Sequence, residues 1–347
     1  MTIRLRSFIW LAVSLAALGF LALKTARQKQ TFLDALSAIQ WSWALGAVLI
    51  YFVAQTLLAS RWVLLLRVHK VYVSLFQVVK LTYLGLFYNN MMPGSVGGDL
   101  LKGWYITHHS DKNHRLEAAV TVFVDRLVGL IGMVLVGALA SLAVGPQLKL
   151  PLGPGHIQVR LLIWFVLGML VILSLIFFSR RVRHLLMLNK ILDKIPFARM
   201  LRKIDDAIRI YRRHLDIMGW SLLLTAAIQG LSIVAIWMLT QSLHLEKVRF
   251  LHCLTVMPIV WLVSAAVPVP GGLGVMENLF IPFFVTAIDP AVIPNTAHWK
   301  QVVALAAALA LLNRLMICLC SLPGALVPIF GGHLPKTKDL ESEFNQQ

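Results

Sequence analysis

The chain is poor in charge. Only 14% of its 347 residues are Asp, Glu, Lys or Arg, where soluble domains carry about 25%. Acids are the scarcest, 15 against 32 Lys and Arg, so the formal net charge is +17. Cysteines number three, Cys253, Cys318 and Cys320, all in apolar segments and none in C-x-x-C spacing. That spacing serves neither a metal nor a redox site, and the thiols read as packing residues. The sequence holds no G-x-S-x-G, no Walker A and no stretch that reads as a soluble catalytic domain. His108 and His109 are adjacent, which is wrong for a helical i, i+4 metal pair. His108, Asp111 and His114 have helical spacing but fall in a polar loop. No metal and no cofactor is expected. No basic recognition motif accompanies the positive charge, so nucleic acid is not an expected partner. Basic residues of membrane proteins collect in cytoplasmic loops, where they face an anionic lipid surface.

What the chain has in quantity is apolar. It is 59% hydrophobic, with a mean hydropathy of +0.78. A span needs about 20 apolar residues. Phe8–Leu23, Trp41–Leu58, Ala118–Val144, Leu161–Phe178, Trp220–Leu239 and Gln301–Phe330 are the candidates. The first could pass for a signal peptide, but Lys24, Arg27 and Lys29 follow at once without a clear cleavage site, so an uncleaved span is expected. Two further apolar regions are broken. Leu75–Tyr88 and Leu100–Ile106 are each too short to cross and flank one break; Leu251–Val267 and Leu273–Ala287 flank another. Both read as re-entrant hairpins. The expected fold is an all-α polytopic membrane protein with six full spans and two broken hairpins.

The first break is Asn89-Asn90-Met91-Met92-Pro93-Gly94-Ser95-Val96-Gly97-Gly98-Asp99, and the second is Pro270-Gly271-Gly272-Leu273-Gly274-Val275-Met276-Glu277. Both read Pro-Gly-x-apolar-Gly, then an acid. Glycine frees the backbone and proline removes a donor, so a regular helix stops here. Inside a bilayer, such backbone survives only when buried in protein or lining a wet cavity. Breaks at matching places in two halves point to a transport site. Gly97 and Gly274 are 177 residues apart, and Trp41 and Trp220 are 179 apart. Each half reads span, span, hairpin, span, in about 4+4 segments: an inverted repeat. The expected division is 1–145, a Pro/Gly linker at 146–160 outside the membrane, 161–331, and a tail at 332–347. Within the second half, 180–216 carries eleven Lys/Arg and four Asp and is expected to lie as a basic amphipathic stretch on the cytoplasmic surface. Arg4/Arg6, Arg61/Arg67/Lys70 and this block place both termini in the cytoplasm. Lys24, Arg27 and Lys29 then fall outside, against the rule.

Ionisable groups within spans are costly, about 2.5–3.5 kcal/mol each on the insertion scale, and mark function by default. The last span of each half carries one arginine behind a polar partner: Asp125-Arg126 and Asn313-Arg314. Asp99, Lys102 and Glu277 lie at or just past the hairpin tips. The structural alternatives are that Asp125 neutralises an arginine and that Glu277 caps a helix. Arginine grips phosphate in a bidentate fork, and helix N-termini after Gly-rich turns favour anions. The candidate substrate-binding set is Asn89, Asn90, Gly94, Gly97, Gly98, Asp99, Lys102, Asp125, Arg126, Gly271, Gly272, Gly274, Glu277 and Arg314. Gly98 and Gly272 are expected to admit close approach of a head group, since each has a neighbouring glycine to serve the turn.

Three pieces carry a resemblance: Gly85-Leu86-Phe87-Tyr88-Asn89-Asn90 with the Pro/Gly run to Asp99, the pair Asp125-Arg126, and Pro270–Gly274 with Glu277. Together they resemble the lysylphosphatidylglycerol synthase transmembrane-region family, flippase-like membrane proteins similar to the membrane region of the multiple peptide resistance factor. The likeness covers roughly residues 8–330. Many relatives have Arg shortly after Gly-Gly-Asp; here Lys102 stands there, which keeps the charge and loses the fork. In the resistance factor a soluble aminoacyl-transferase domain follows. This chain ends soon after its last span, so the resemblance implies translocation, not synthesis. The expected function is a non-enzymatic bacterial inner-membrane transporter for an anionic or amino-modified lipid head group. A membrane transferase acting on a lipid-linked substrate, or a non-catalytic partner of a lipid-synthesising enzyme, stays open as an alternative.

Overall fold

Lipid cannot satisfy backbone hydrogen bonds, so long apolar runs fold as helices. A computed structural model describes residues 34, 36–91, 97–109, 115–144, 149–150, 157–178, 207, 209–267, 269–289, 292–293 and 296–330. In order they form α1 (Trp41–Val68), α2 (Leu75–Met91), α3 (Gly97–His109), α4 (Arg115–Val144), β1 (Lys149–Leu150), β2 (Ile157–Gln158), α5 (Val159–Phe178), α6 (Leu215–Ser242), α7 (Phe250–Ala266), α8 (Val275–Ile288) and α9 (Ala297–Phe330). Helices α1, α4, α6 and α9 are long and apolar enough to cross a membrane. The chain is an all-helical polytopic membrane protein. The expected first span, the cations Lys24, Arg27 and Lys29, Gly94, residues 180–206 and the tail lie outside the described residues.

The spans are apolar outward and polar inward. Leu45 and Leu49 on α1, Leu135, Leu139 and Leu142 on α4, and Leu315, Leu319, Leu322 and Leu326 on α9 are all exposed. Their three- and four-residue spacing makes lipid-facing stripes. Gln55, Arg61, Asp125, Thr225, Glu277 and Asn313 are buried.

Helix lengths and caps recur along the chain. Helices α1 and α6 each have 28 residues, and α2 and α7 each have 17. Both long helices end in the same Schellman cap. After α1, Lys70 takes φ 58° and the N–H groups of Lys70 and Val71 donate to the carbonyls of Arg67 and Leu66. After α6, His244 takes φ 57°, with His244 and Leu245 donating to Gln241 and Thr240. The two helices run antiparallel. Gln40, before α1, donates to the Ser242 carbonyl at 2.9 Å, while Arg61, far along α1, donates to Thr225 of α6 at 2.9 Å. Helix α2 packs on α9, and its counterpart α7 packs on α4.

Each broken region is an antiparallel hairpin. Helix α3 folds back along α2, with Gly98 directly against Gly85 and the Gly98 N–H donating to Asn89 Oδ1 at 2.8 Å. Helix α8 folds back along α7, where His252 Nε2 meets the Phe283 carbonyl at 3.0 Å. At 1.5 Å per residue the four arms measure about 20–26 Å, short of a ~30 Å hydrocarbon core. The first hairpin's arms are longer than the sequence indicates. Helix α2 continues to Met91 and α3 begins at Gly97, so Gly97 and Gly98 belong to a helical first turn. Asn89 satisfies one free N–H of that turn, and Asp99 lies in it, favoured by the helix dipole. In the linker, β1 and β2 pair as a short antiparallel ribbon.

Candidate functional site

The two breaks share a sequence pattern, and their described glycines are constrained in different ways. In the second, Gly271, Gly272 and Gly274 take φ of 55°, 66° and 81°, left-handed values that side chains other than glycine rarely adopt. Gly274 caps α8, and Glu277 reaches back to its N–H at 2.6 Å. In the first, Gly98 is helical and its constraint is steric: an added Cβ would overlap the Gly85 carbonyl. This corrects two expectations. Gly98 admits a neighbouring helix, not a head group. Gly272 is itself a left-handed turn position, so the neighbouring glycine does not relieve it.

Acids and arginines pair across equivalent elements. Asp99, at the start of α3, accepts from Arg126 Nε of α4 at 2.5 Å. Glu277, at the start of α8, accepts from Arg314 Nε of α9 at 2.5 Å. Each half thus links the returning arm of its hairpin to its last span by one carboxylate and one guanidinium. Arg126 lies about 16 Å and Arg314 about 26 Å along their helices, at 1.5 Å per residue. Their surroundings differ. The Arg126 side chain is 54% exposed, whereas that of Arg314 is 11% exposed. Arg314 also donates through Nη1 to the Gly271 carbonyl at 2.9 Å, tying α9 to the tip of the second hairpin.

Asp125 does not partner its sequence neighbour. It accepts from Arg61 Nε at 2.9 Å, and its carbonyl accepts from Arg61 Nη2 at 3.1 Å. Arg61 Nη1 goes to Thr225, so one buried guanidinium joins α1, α4 and α6. Sequence reading missed Arg61 because it was grouped with Arg67 and Lys70 as a boundary charge. A signal was present: the unbroken apolar run Trp62–Leu66 separates Arg61 from Arg67. Lys102 is buried beside Gly85, its Nζ 5.3 Å from the Trp62 ring centroid. It lies within electrostatic reach of Asp99, Asp125, Arg126 and Arg61. This first cluster therefore holds three cations and two acids.

The tip of the second hairpin meets the end of α2 beside α9. A Cβ on Gly271 would lie 3.1 Å from Asn90 Cα and Oδ1 and 3.3 Å from Arg314 Nη1. A Cβ on Gly272 would lie 3.1 Å from that of Ser264, in the last turn of α7. Asn90 Nδ2, Arg314 Nη2, Ser264 Oγ and Asn313 Oδ1 are buried with no hydrogen-bond partner among the described residues. Ser264 carried no sequence signal that separates it from ordinary span residues, and Asn313 stood out only as the residue before Arg314.

The family model of the lysylphosphatidylglycerol synthase TM region matches residues 8–311. The chain belongs to this family. The match takes in both hairpins and the Asp99–Arg126 pair, and it ends three residues before Arg314. Among curated proteins, the chain is similar to "UPF0104 membrane protein PH1989" of Pyrococcus horikoshii, with 31% identity over 97 residues. The match covers 28% of this chain and 29% of that relative, so the chain spans less than a third of the curated relative's length. No solved structure matches. Membership of the lysylphosphatidylglycerol synthase TM region family agrees with the four long apolar helices.

Proposed function

We propose that this chain moves an anionic or amino-modified lipid head group between the leaflets of a bacterial cytoplasmic membrane. The observation that carries the reading is the matched pair of acid–arginine links, Asp99–Arg126 and Glu277–Arg314. Each ties a short hairpin to a full span, and the arginine of one is exposed while that of the other is enclosed. Alternating access rocks one repeat against the other around a fixed site, and equivalent links that differ in exposure suit such a motion. The antiparallel course of α1 and α6 supports an inverted repeat, since equivalent helices side by side in opposite senses are related by an axis across the bundle. The family's name supports the ligand class: lysylphosphatidylglycerol is an amino-modified anionic lipid. In this reading the protein is not an enzyme, a membrane lipid is its substrate, an anionic lipid surface faces its basic segment, and a lipid-synthesising enzyme is a candidate partner. Both termini are cytoplasmic.

The test is leaflet exchange of fluorescent phosphatidylglycerol in liposomes holding the purified protein. Arg126→Ala will slow exchange at least about tenfold, the effect of losing a charge-assisted hydrogen bond of about 1.5–3 kcal/mol. Its membrane insertion will stay near the parent's, and its melting temperature will fall less than that of an Arg61→Ala variant, because Lys102 still faces the Asp99 carboxylate. Unchanged exchange removes Arg126 from the mechanism. Orientation is tested by single cysteines at Lys112 and Asn295. A membrane-impermeant reagent in inside-out vesicles will label the first and not the second; labelling both from one side ends the inverted topology.

A further inference from the structure

The charges at the hairpin junction are largely satisfied by one another. Glu277 Oε1 takes Arg314 Nε, and Oε2 takes the Gly274 N–H. Arg314 Nη1 takes the Gly271 carbonyl. What remains is a set of unpartnered buried groups: three that can donate, Arg314 Nη2, Asn90 Nδ2 and Ser264 Oγ, and one acceptor, Asn313 Oδ1, on the neighbouring residue of α9. They come from three elements, α9, α2 and α7. Ser264 is 6% exposed as a residue, and the Arg314 side chain is 11% exposed. Leaving a buried donor unmade costs about 1–3 kcal/mol, more when it is charged, so three together need an account.

Gly271 and Gly272 pack closely against these side chains. A Cβ at Gly271 would crowd both Asn90 and Arg314, and one at Gly272 would crowd Ser264. Both glycines also hold left-handed φ, so the bare backbone here has two reasons to persist. A cation is a poor occupant, because Arg314 Nη2 carries positive charge toward it and the nearby carboxylate is already engaged. A neutral apolar group would leave all three donors unmatched. An oxyanion is the ligand class that can accept from a guanidinium N–H, an amide and a hydroxyl alike, the first as a charge-assisted bond.

We infer that the junction of the two hairpins is an oxyanion subsite, built from Arg314, Asn90 and Ser264, that takes a phosphate-type group. This rests on the transport reading for its biological sense, but the binding it predicts is measured without transport. The first cluster, with three cations of its own, is a separate region and is not needed for it.

The full-length protein in neutral detergent is titrated with short-chain phosphatidic acid and with the matching diacylglycerol, following tryptophan fluorescence. The parent will bind the phosphatidic acid at least tenfold more tightly. Asn90→Asp keeps the side chain's shape, replaces the donor by a negative acceptor and will raise the dissociation constant for phosphatidic acid at least tenfold. Ser264→Ala will raise it about threefold to tenfold. Neither will change diacylglycerol binding. Displacement by millimolar inorganic phosphate identifies a free anion as a sufficient ligand; lack of displacement identifies the lipid as the source, and both agree with the subsite. A parent that does not discriminate, or two variants that keep the parent's preference, overturns it. Leaflet exchange without the phosphate preference would reject the subsite and leave transport standing. The preference without leaflet exchange would do the reverse.

Discussion

Arg61→Ala will destabilise the protein by about 3–5 kcal/mol, the usual effect of removing one partner from a buried ion pair. Arg61 and Asp125 are 4% and 10% exposed in their side chains, so the alanine variant leaves the Asp125 carboxylate unpaired away from water. Two further hydrogen bonds are lost, to Thr225 and to the Asp125 carbonyl. Because Arg61 joins α1, α4 and α6, the damage falls on the contact between the halves. In thermal unfolding of the detergent-solubilised protein this corresponds to a fall on the order of 10 °C, taking about 2–4 °C per kcal/mol. The double variant Arg61→Met/Asp125→Leu will recover most of the loss, since an apolar pair of similar volume often replaces a buried ion pair without penalty. A melting temperature for Arg61→Ala within about 2 °C of the parent, on the same scale, would show that the pair is not holding the spans together.

Gly98→Ala will disable the first hairpin. The new Cβ would overlap the carbonyl of Gly85, which is backbone and cannot rotate aside. Helix α3 must move off α2, and two contacts go with it: the Gly98 N–H to Asn89 and the Asp99 link to Arg126. Overpacking of this kind destabilises by about 1–3 kcal/mol. The displaced carboxylate will also lower leaflet exchange at least about tenfold, as loss of its charge-assisted bond does. Gly103→Ala is the control. It lies in the same helix with nothing within 4 Å of an added Cβ, so the higher helix propensity of alanine will leave stability unchanged or raise it by up to about 1 kcal/mol. If Gly98→Ala matches the Gly103 variant in both melting and exchange, the α2–α3 crossing is looser than drawn and the hairpin does not position Asp99.

Much of the fold was legible in the sequence because bilayer physics acts on composition and run length alone. A chain this apolar must be helical in lipid, and α1, α4, α6 and α9 arise wherever an apolar run is long enough to cross. The breaks were legible too, since Pro and Gly act on the backbone locally. So was the family, through the motifs around Asn89–Asp99 and Pro270–Glu277. Element ends were less so: α3 begins at Gly97 because Asn89 of α2 satisfies a free N–H there, a contact that skips eight residues. The candidate residues themselves are chemical types, and type says nothing about partner. Asp125 and Arg126 are adjacent, yet successive positions on a helix point about 100° apart, so Asp125 turns to Arg61 in the core while Arg126 turns to Asp99. Ser264, and the roles of Arg61 and Asn313, became visible only when the helices were packed, because burial and an unmatched hydrogen-bonding atom belong to the assembled bundle. The same holds for the glycines. Gly98 and Gly272 look alike in sequence, but one is confined by a carbonyl of the facing helix and the other by its own left-handed φ. Only the tertiary structure separates these causes, because a close approach is a property of two segments and a dihedral is a property of one.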